Sequence, residues 1–177
     1  TGDFSGALEA FEFALKLDPQ SSEALVNKGN IFLESNLFSD AKKCFDRAIE
    51  VNSSSDEAYV GRANLLNLLA HYEQALFELD NALKINPKNT YALWNKSLSL
   101  LRLGDYEHGW VLFENRWNAL GIESPSITYN LPLWLGNEPL KEKSILIVAE
   151  QGFGDTIQFC RYLACLLYTS DAADDTP

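Results

Sequence analysis

SEALVNKGNIFLESNLFSDAKKCFDRAIEVNSSS, residues 22–55, is answered column by column by the stretch from Asp56 to Asn89 and again from Thr90 onward. A fixed period of this kind sets the architecture before any single residue is weighed. Four residues into each copy stands a large apolar side chain (Leu25, Tyr59, Leu93), and four later a small one (Gly29, Ala63, Ser97), as close helix packing requires. Three further on the large residue returns as Phe32, Leu66 and Leu100. A second run carries an aromatic (Phe38, Tyr72, Tyr106), a small residue (Ala41, Ala75, Gly109), a bulky one (Phe45, Leu79, Phe113) and, in two copies, another alanine (Ala48, Ala82). This spacing is helical rather than alternating. Breaks fall between the runs at Asn36, Ala70 and Gly104-Asp105, and after the second run at Asn52-Ser53 and Asn86-Pro87. Each copy therefore reads as an antiparallel helix pair. A helix this short is marginal alone in water, so its apolar stripe must be covered by its mate and by the next pair.

The succession of small, large and aromatic positions resembles the tetratricopeptide repeat. The resemblance implies a mainly α chain, an α-α superhelix of helix hairpins with repeats at 22–55 and 56–89 and a divergent last one at 90–118. Residues 1–21 superimpose on the second half of a repeat, with Phe4, Ala7, Phe11, Ala14 and Pro19 in the matching columns. That half-repeat and the absence of methionine lead to the expectation of a truncated fragment with a cut N-terminal edge.

Composition narrows the function classes. A formal charge of −11 over 177 residues disfavours general nucleic-acid binding, which needs a basic stripe. The sequence holds no apolar run of about 18 residues that would suit a membrane span. Cys44, Cys160 and Cys165 lack ligand spacing and His71 and His108 stand singly, so no metal site is expected. Cys44 reads as a reduced, partly covered thiol, consistent with a reducing, cytoplasmic setting. Both histidines read as solvated residues near inter-helix turns.

In arrays of this type the first helices line a concave groove, and the resemblance implies that their outward positions meet a protein or peptide. Here those positions are Asn27, Asn30, Glu34, Asn64, Asn67, Trp94, Asn95 and Arg102. Asparagine both donates and accepts and so can grip an extended backbone without reading its side chains. Asn27 with Asn95, or Asn30 with Asn64, are the expected rungs; plain polar surface is the alternative. Lys28, Arg62 and Lys96 share one column beside the apolar stripe, where long stems cover the seam while the charge reaches water. That is preferred to an anion site.

The last copy departs from the pattern, since Arg116-Trp117 stand where Ala and Leu or Ile stood. Arginine does not fit an alanine-sized hole, so a different neighbour is expected and the stack ends. Residues 119–143 read as a linker with Pro125, Pro132 and Pro139 and docking side chains such as Trp134. Next, Ser144 to Ala149 (SILIVA) suits a buried parallel strand, followed by EQGFGD and the helical TIQFCRYLA. Strand, glycine turn and helix would open an α/β domain over 144–164. Gly152 and Gly154 free the backbone of the turn, and helix-start N–H groups can receive an anionic or polar group. Asp155 at that point is either an N-cap or a group at the mouth of a cleft.

The run GDYEHGWVLFENRW, PLWLGNEPL and SILIVAEQGFGDTIQFCRYL looks like the junction in bacterial proteins whose repeats precede a glycosyltransferase-like domain, related to heptosyltransferases and, more distantly, to repeat-bearing O-linked N-acetylglucosamine transferases. The resemblance implies a two-lobed (GT-B) parent using a nucleotide sugar as donor. Asp155 is then the candidate catalytic base, Gly152 and Gly154 shape the loop, and Gln151 belongs to the same motif. It also implies that the nucleotide-sugar lobe is absent from this stretch, which by itself holds no cofactor and is expected to be inactive. Residues 165–177 depart from the family pattern at CLLYTSDAADD and resemble a translated sequencing-library adapter, as in metagenomic sequences; a natural acidic tail is the alternative. Two function classes follow: the interaction array of a glycosyltransferase, or a non-enzymatic scaffold that binds proteins.

Overall fold

The computed structural model describes residues 4–124, 129–134, 139, 143–149, 157–158 and 160–171. By its internal packing the chain divides into two units, Thr1–Ile122 and Glu123–Pro177.

The first unit is a series of helices: α1 (Phe4–Leu17), α2 (Ser22–Glu34), α3 (Phe38–Val51), α4 (Asp56–Leu68), α5 (Tyr72–Ile85), α6 (Thr90–Leu103), α7 (Tyr106–Phe113) and α8 (Arg116–Leu120). Three hairpins, α2 with α3, α4 with α5 and α6 with α7, follow the expected period. Successive pairs meet through α3 with α4 and α5 with α6. The first helices also touch along the stack, α2 with α4 and α4 with α6, whereas no comparable contact joins α3 to α5. The first helices thus crowd one side, which becomes the inner one.

Small residues make this crowding possible. A Cβ on Gly61 would fall on the Phe45 ring, 2.7 Å from its Cδ1, and one on Gly29 would lie 2.7 Å from Cε1 of the same ring. Phe45, fully buried on α3, is therefore the knob wedged between α2 and α4. Ala41, Ala48, Ala63, Ala75, Ala82 and Ser97, all from the small columns, have no exposed surface.

The same period governs helix ends. Ser21, Ser55 and Asn89 cap α2, α4 and α6 by accepting from the backbone N–H three residues on. Within each hairpin the chain reverses through a left-handed residue, Asn36 (φ 60°), Ala70 (φ 59°) or Gly104 (φ 87°). The following N–H then donates back across the helix end, Leu37 to Phe32 O at 2.8 Å, His71 to Leu66 O at 2.9 Å and Asp105 to Leu100 O at 3.0 Å.

The last repeat diverges as a break in its second helix. α7 stops at Phe113, and after Glu114-Asn115 the chain re-enters helix as α8, which packs on α6. Arg116 is 7% exposed, its guanidinium 4.6 Å from the Phe113 ring centre and 4.1 Å from that of Trp117. Glu114 binds both residues, accepting from Arg116 Nη1 at 2.7 Å and Trp117 Nε1 at 3.1 Å. The arginine does not enter an alanine-sized hole; it closes the apolar end of the stack with a cation held between aromatic rings.

The second unit corrects one expectation. Residues 144–149 form no strand, and Leu146 and Ile147 are 55% and 53% exposed. A lone apolar run has no ladder to join, because the backbone groups of a strand need a neighbouring strand. Among the described residues no strand occurs, so the strand-loop-helix opening of an α/β domain is not formed. Helix is present at the end, where α9 (Tyr162–Asp171) runs through Cys165.

Candidate functional site

On the inner side of the stack α4 and α6 enclose a cleft of about 360 Å³. α4 contributes Asn64, Asn67 and Leu68, spaced so that all three share one helix face. α6 contributes Asn95, Leu98 and Arg102 at equivalent helical spacing, and Tyr72 at the start of α5 closes one end. Four of the residues expected from the sequence, Asn64, Asn67, Asn95 and Arg102, are thus brought together. Asn27, Asn30 and Glu34, on α2, do not line this cleft, and neither does Trp94. Asn64 and Asn95 thus line the same cleft from neighbouring first helices.

Hydrogen bonding leaves the cleft incomplete. Asn64 Oδ1 and Asn67 Nδ2 are buried and find no partner among the described residues. Leaving such an atom unpaired costs about 1–3 kcal/mol. Asn67 is held from its other side, because the Ser99 hydroxyl lies 2.7 Å from its Oδ1 and donates to it. Asn95 Nδ2 is taken up by Tyr91 O on its own helix at 2.9 Å. One acceptor and one donor, three residues apart on a helix face, match the N–H and C=O of a peptide backbone.

Ser99 is fully buried yet occupies a column that holds Ile31 and Leu65 in the other copies. A hydroxyl in an apolar column was the legible signal for it; the asparagines alone did not point there. Tyr72 carried a different signal, reading as a core aromatic while it also borders the cleft.

The basic column is resolved by acids sixteen residues earlier. Lys28 pairs with Glu12 at 3.0 Å, Arg62 with Asp46 at 3.1 Å and Lys96 with Asp80 at 2.6 Å. Glu12, Asp46 and Asp80 themselves recur at the repeat period, so each first helix is tied to the second helix of the preceding pair. The cationic ends also stand near aromatic rings, with Lys28 Nζ 5.6 Å from the Phe32 ring centre and the Arg62 guanidinium carbon 5.7 Å from that of Tyr59. The charges, however, meet carboxylates rather than water. Arg62 also binds Glu78 at 2.6 Å, and although burial works against its charge, Glu78 and Asp46 hold it above its ordinary pKa. Burial likewise opposes ionisation of Asp46, but Lys42 and Arg62 keep its carboxyl below the usual range.

A second cleft of about 520 Å³ lies over this network, between Leu66, Leu69 and Phe77. Of its charged groups, Lys42, Asp46, Arg62 and Glu78 are already engaged with one another, while Glu73 also lines it. Cys44 is a half-buried free thiol whose pKa burial pushes up, which favours the protonated form over the reactive thiolate. His108 is exposed and donates from Nδ1 to the carboxylate of Asp105, the residue that caps α7. Among the described residues no cluster of His, Cys, Asp and Glu is arranged to hold a metal ion, and no helix is long and apolar enough to cross a membrane. Gln151, Gly152, Gly154 and Asp155 lie outside the described residues.

Comparison with known proteins agrees with this geometry. Two family models described as tetratricopeptide repeat match residues 1–65 and 56–89. No curated protein matches the sequence. Among solved structures the chain is similar to a thermophilic TPR protein of Thermus thermophilus, at 22% identity and a TM-score of 0.59 over 65% of each chain. It is similar to YrrB, titled a TPR protein with an unusual peptide-binding site, at 22% identity and a TM-score of 0.51 over 66% of this chain and 60% of that one. A mutant O-GlcNAc transferase of Thermobaculum terrenum matches at 23% identity and a TM-score of 0.53 over 56% of this chain, which spans only 19% of that protein. With the period, the capping pattern and the hairpin packing in place, the helical array of this chain is a tetratricopeptide-repeat array.

Proposed function

We propose that the cleft between α4 and α6 binds an extended peptide segment of a partner protein. The observation that carries this is the pair of buried, unpartnered atoms, Asn64 Oδ1 and Asn67 Nδ2, on the face of α4 that lines the cleft. Ser99 fixes one end of Asn67 and leaves the donor end for a guest. Support also comes from YrrB, which shares the fold and is described as having a peptide-binding site.

The test is retention of N-acetylated hexapeptide pools by the immobilised chain. Wild type is expected to retain a subset of pools, and Asn64→Ala or Asn67→Ala to weaken retention by about threefold to tenfold, the value of one net hydrogen bond. Lys88→Ala, in an exposed loop outside the cleft, is expected to bind as wild type does. Equal retention by all four proteins would overturn the assignment.

A second reading places this array in a glycosyltransferase that uses a nucleotide sugar, with Asp155 as the base that deprotonates the acceptor hydroxyl. It is supported by the string from Glu150 to Arg161 and by the helical likeness to the O-GlcNAc transferase, which concerns the fold alone. The 177 residues by themselves are expected to turn over no nucleotide sugar. In a longer reading frame, Asp155→Asn is expected to abolish transfer at unchanged melting temperature; retained transfer would remove the base role.

A further inference from the structure

We infer that the outer face of the array carries a second docking site, the cleft over α4 between α3 and α5, and that it takes a basic amphipathic helix of a partner protein. The site is separate from the cleft of α4 and α6. Because α3 and α5 make no comparable contact with each other, α4 is left uncovered between them, and the cleft of about 520 Å³ opens there. Leu65, Leu66 and Leu69 line it from α4 and its C-cap, and Phe77 lines it from α5. Phe77 is 63% and Leu69 44% exposed. The fold does not require an apolar residue at either place, since the first full repeat has Lys43 and Ser35 in those columns. In the last repeat the same columns hold Val111 and Leu103, both exposed. Large apolar side chains left in water where the repeat accepts polar ones mark a surface that another molecule covers.

The chemistry of the lining selects the guest. Lys42, Asp46, Arg62 and Glu78 engage one another, so the cleft offers few free partners to a main chain. An extended segment laid there would bury backbone N–H and C=O groups without hydrogen bonds, which is costly. A helix brings its own hydrogen bonds and presents only side chains, and an apolar stripe at i, i+3, i+4 and i+7 suits a groove between helices. Charge decides the rest. The four engaged groups cancel, two cations against two carboxylates. Glu73, exposed in the first turn of α5 and without an ion pair among the described residues, is left as the unbalanced charge of the cleft. A guest with Lys or Arg on its polar flank complements Glu73 and the formal charge of −11. A second copy of this chain would bring the same acidity and be repelled.

The test titrates the full chain into fluorescent helical peptides of about 18 residues, stapled on the face away from the stripe, at about 0.15 M salt. One set has a stripe of Leu and Phe with Lys flanks, a second the same stripe with Glu flanks, and a third Lys flanks with the stripe scrambled. The Lys-flanked amphipathic set is expected to bind about tenfold more tightly than either of the others. Phe77→Ser and Leu69→Ser are each expected to weaken that binding by about tenfold, the scale of one apolar side chain withdrawn from contact. Their melting temperatures are expected to match wild type, because both side chains are exposed. Glu73→Gln is expected to narrow the preference for Lys flanks, whereas Glu9→Gln, the same loss of charge on α1, is expected to leave it unchanged. Binding lost in Asn67→Ala but kept in Phe77→Ser would put the helix in the inner cleft and overturn the inference. Binding indifferent to all of these variants, or none by any peptide at about 1 mM, would overturn it equally. So would sedimentation showing that the chain alone dimerises and that Phe77→Ser abolishes the dimer, since the occupant is then a second copy.

Discussion

Ala70 holds a backbone conformation that its side chain disfavours. At φ 59° it occupies the left-handed turn position that Asn36 and Gly104 fill in the flanking repeats. Asparagine tolerates this region and glycine enters it freely, whereas alanine crowds its Cβ against the chain. Ala70→Gly is therefore expected to stabilise the array by about 0.5–1 kcal/mol, the gain in the turn exceeding the extra freedom of the unfolded chain. A higher urea midpoint at unchanged slope would show it, and a lower midpoint would contradict it. Asp56 is the second informative residue. It is 8% exposed, and its Oδ2 accepts from both Asn86 and Asn89 at 2.8 Å, joining the start of α4 to the turn between α5 and α6. Burial opposes its ionisation, but Asn89 and Asn86 outweigh it and hold the carboxyl below its usual range. Its contribution is thus complete above the unfolded value of about 4 and is lost as pH falls through the lower folded value. Asp56→Ala is expected to cost about 1–3 kcal/mol at neutral pH by orphaning both amides. It is also expected to shed part of the acid-induced loss seen in wild type, which chemical unfolding between about pH 6 and pH 3 would measure.

At the scale of the helix, two devices hold neighbours in register. One is steric: Gly61 lets α4 close on Phe45, and the ring is fully buried and cannot swing away. Gly61→Ala, harmless on an exposed helix, is expected here to cost about 1–3 kcal/mol through overpacking. A variant as stable as wild type would mean that the α3 to α4 seam is looser than these distances. The other device is the tie from Arg62 to Asp46 and Glu78. Other copies carry Lys at the Arg62 column and Cys44 or Leu112 at the Glu78 column, so this pair has changed together. Glu78→Leu alone is expected to lose about 1–3 kcal/mol, and Glu78→Leu with Arg62→Lys to recover most of it. A double-mutant cycle with no coupling would refute the pairing. Period and packing columns were open to reading because the same seam is solved repeatedly with residues of one size. The ion pairs are not legible in the same way, because the cations and the acids sixteen residues before them lie on helices of different hairpins and meet only once the hairpins stack. The strand expected at 144–149 failed for a related reason: a run of apolar residues records burial, and burial by a sheet needs partner strands that a single run cannot supply.

For the whole molecule, the repeat array is a scaffold whose stability comes from stacked neighbours, and the proposed binding cleft combines residues that keep the repeat with residues that depart from it. Ser99, Arg102 and Tyr72 gather at the α4 to α6 cleft, and Arg116 closes the stack just beyond. Asn64 and Asn95 were legible as groove residues from their place on the first helices. Which asparagines share a cleft was not, because neighbouring columns in successive helices meet only once the stack is built. Two-dimensional NMR of the labelled full chain, titrated with the hexapeptide pools it retains, tests the central assignment most directly. The side-chain amide signals of Asn64 and Asn67 are expected to shift first and furthest, with Arg102 Nε–H following. Shifts confined to the opposite face, around Phe77 and Leu69, with those asparagine signals unmoved, would show that the partner binds elsewhere and that the cleft is not the site.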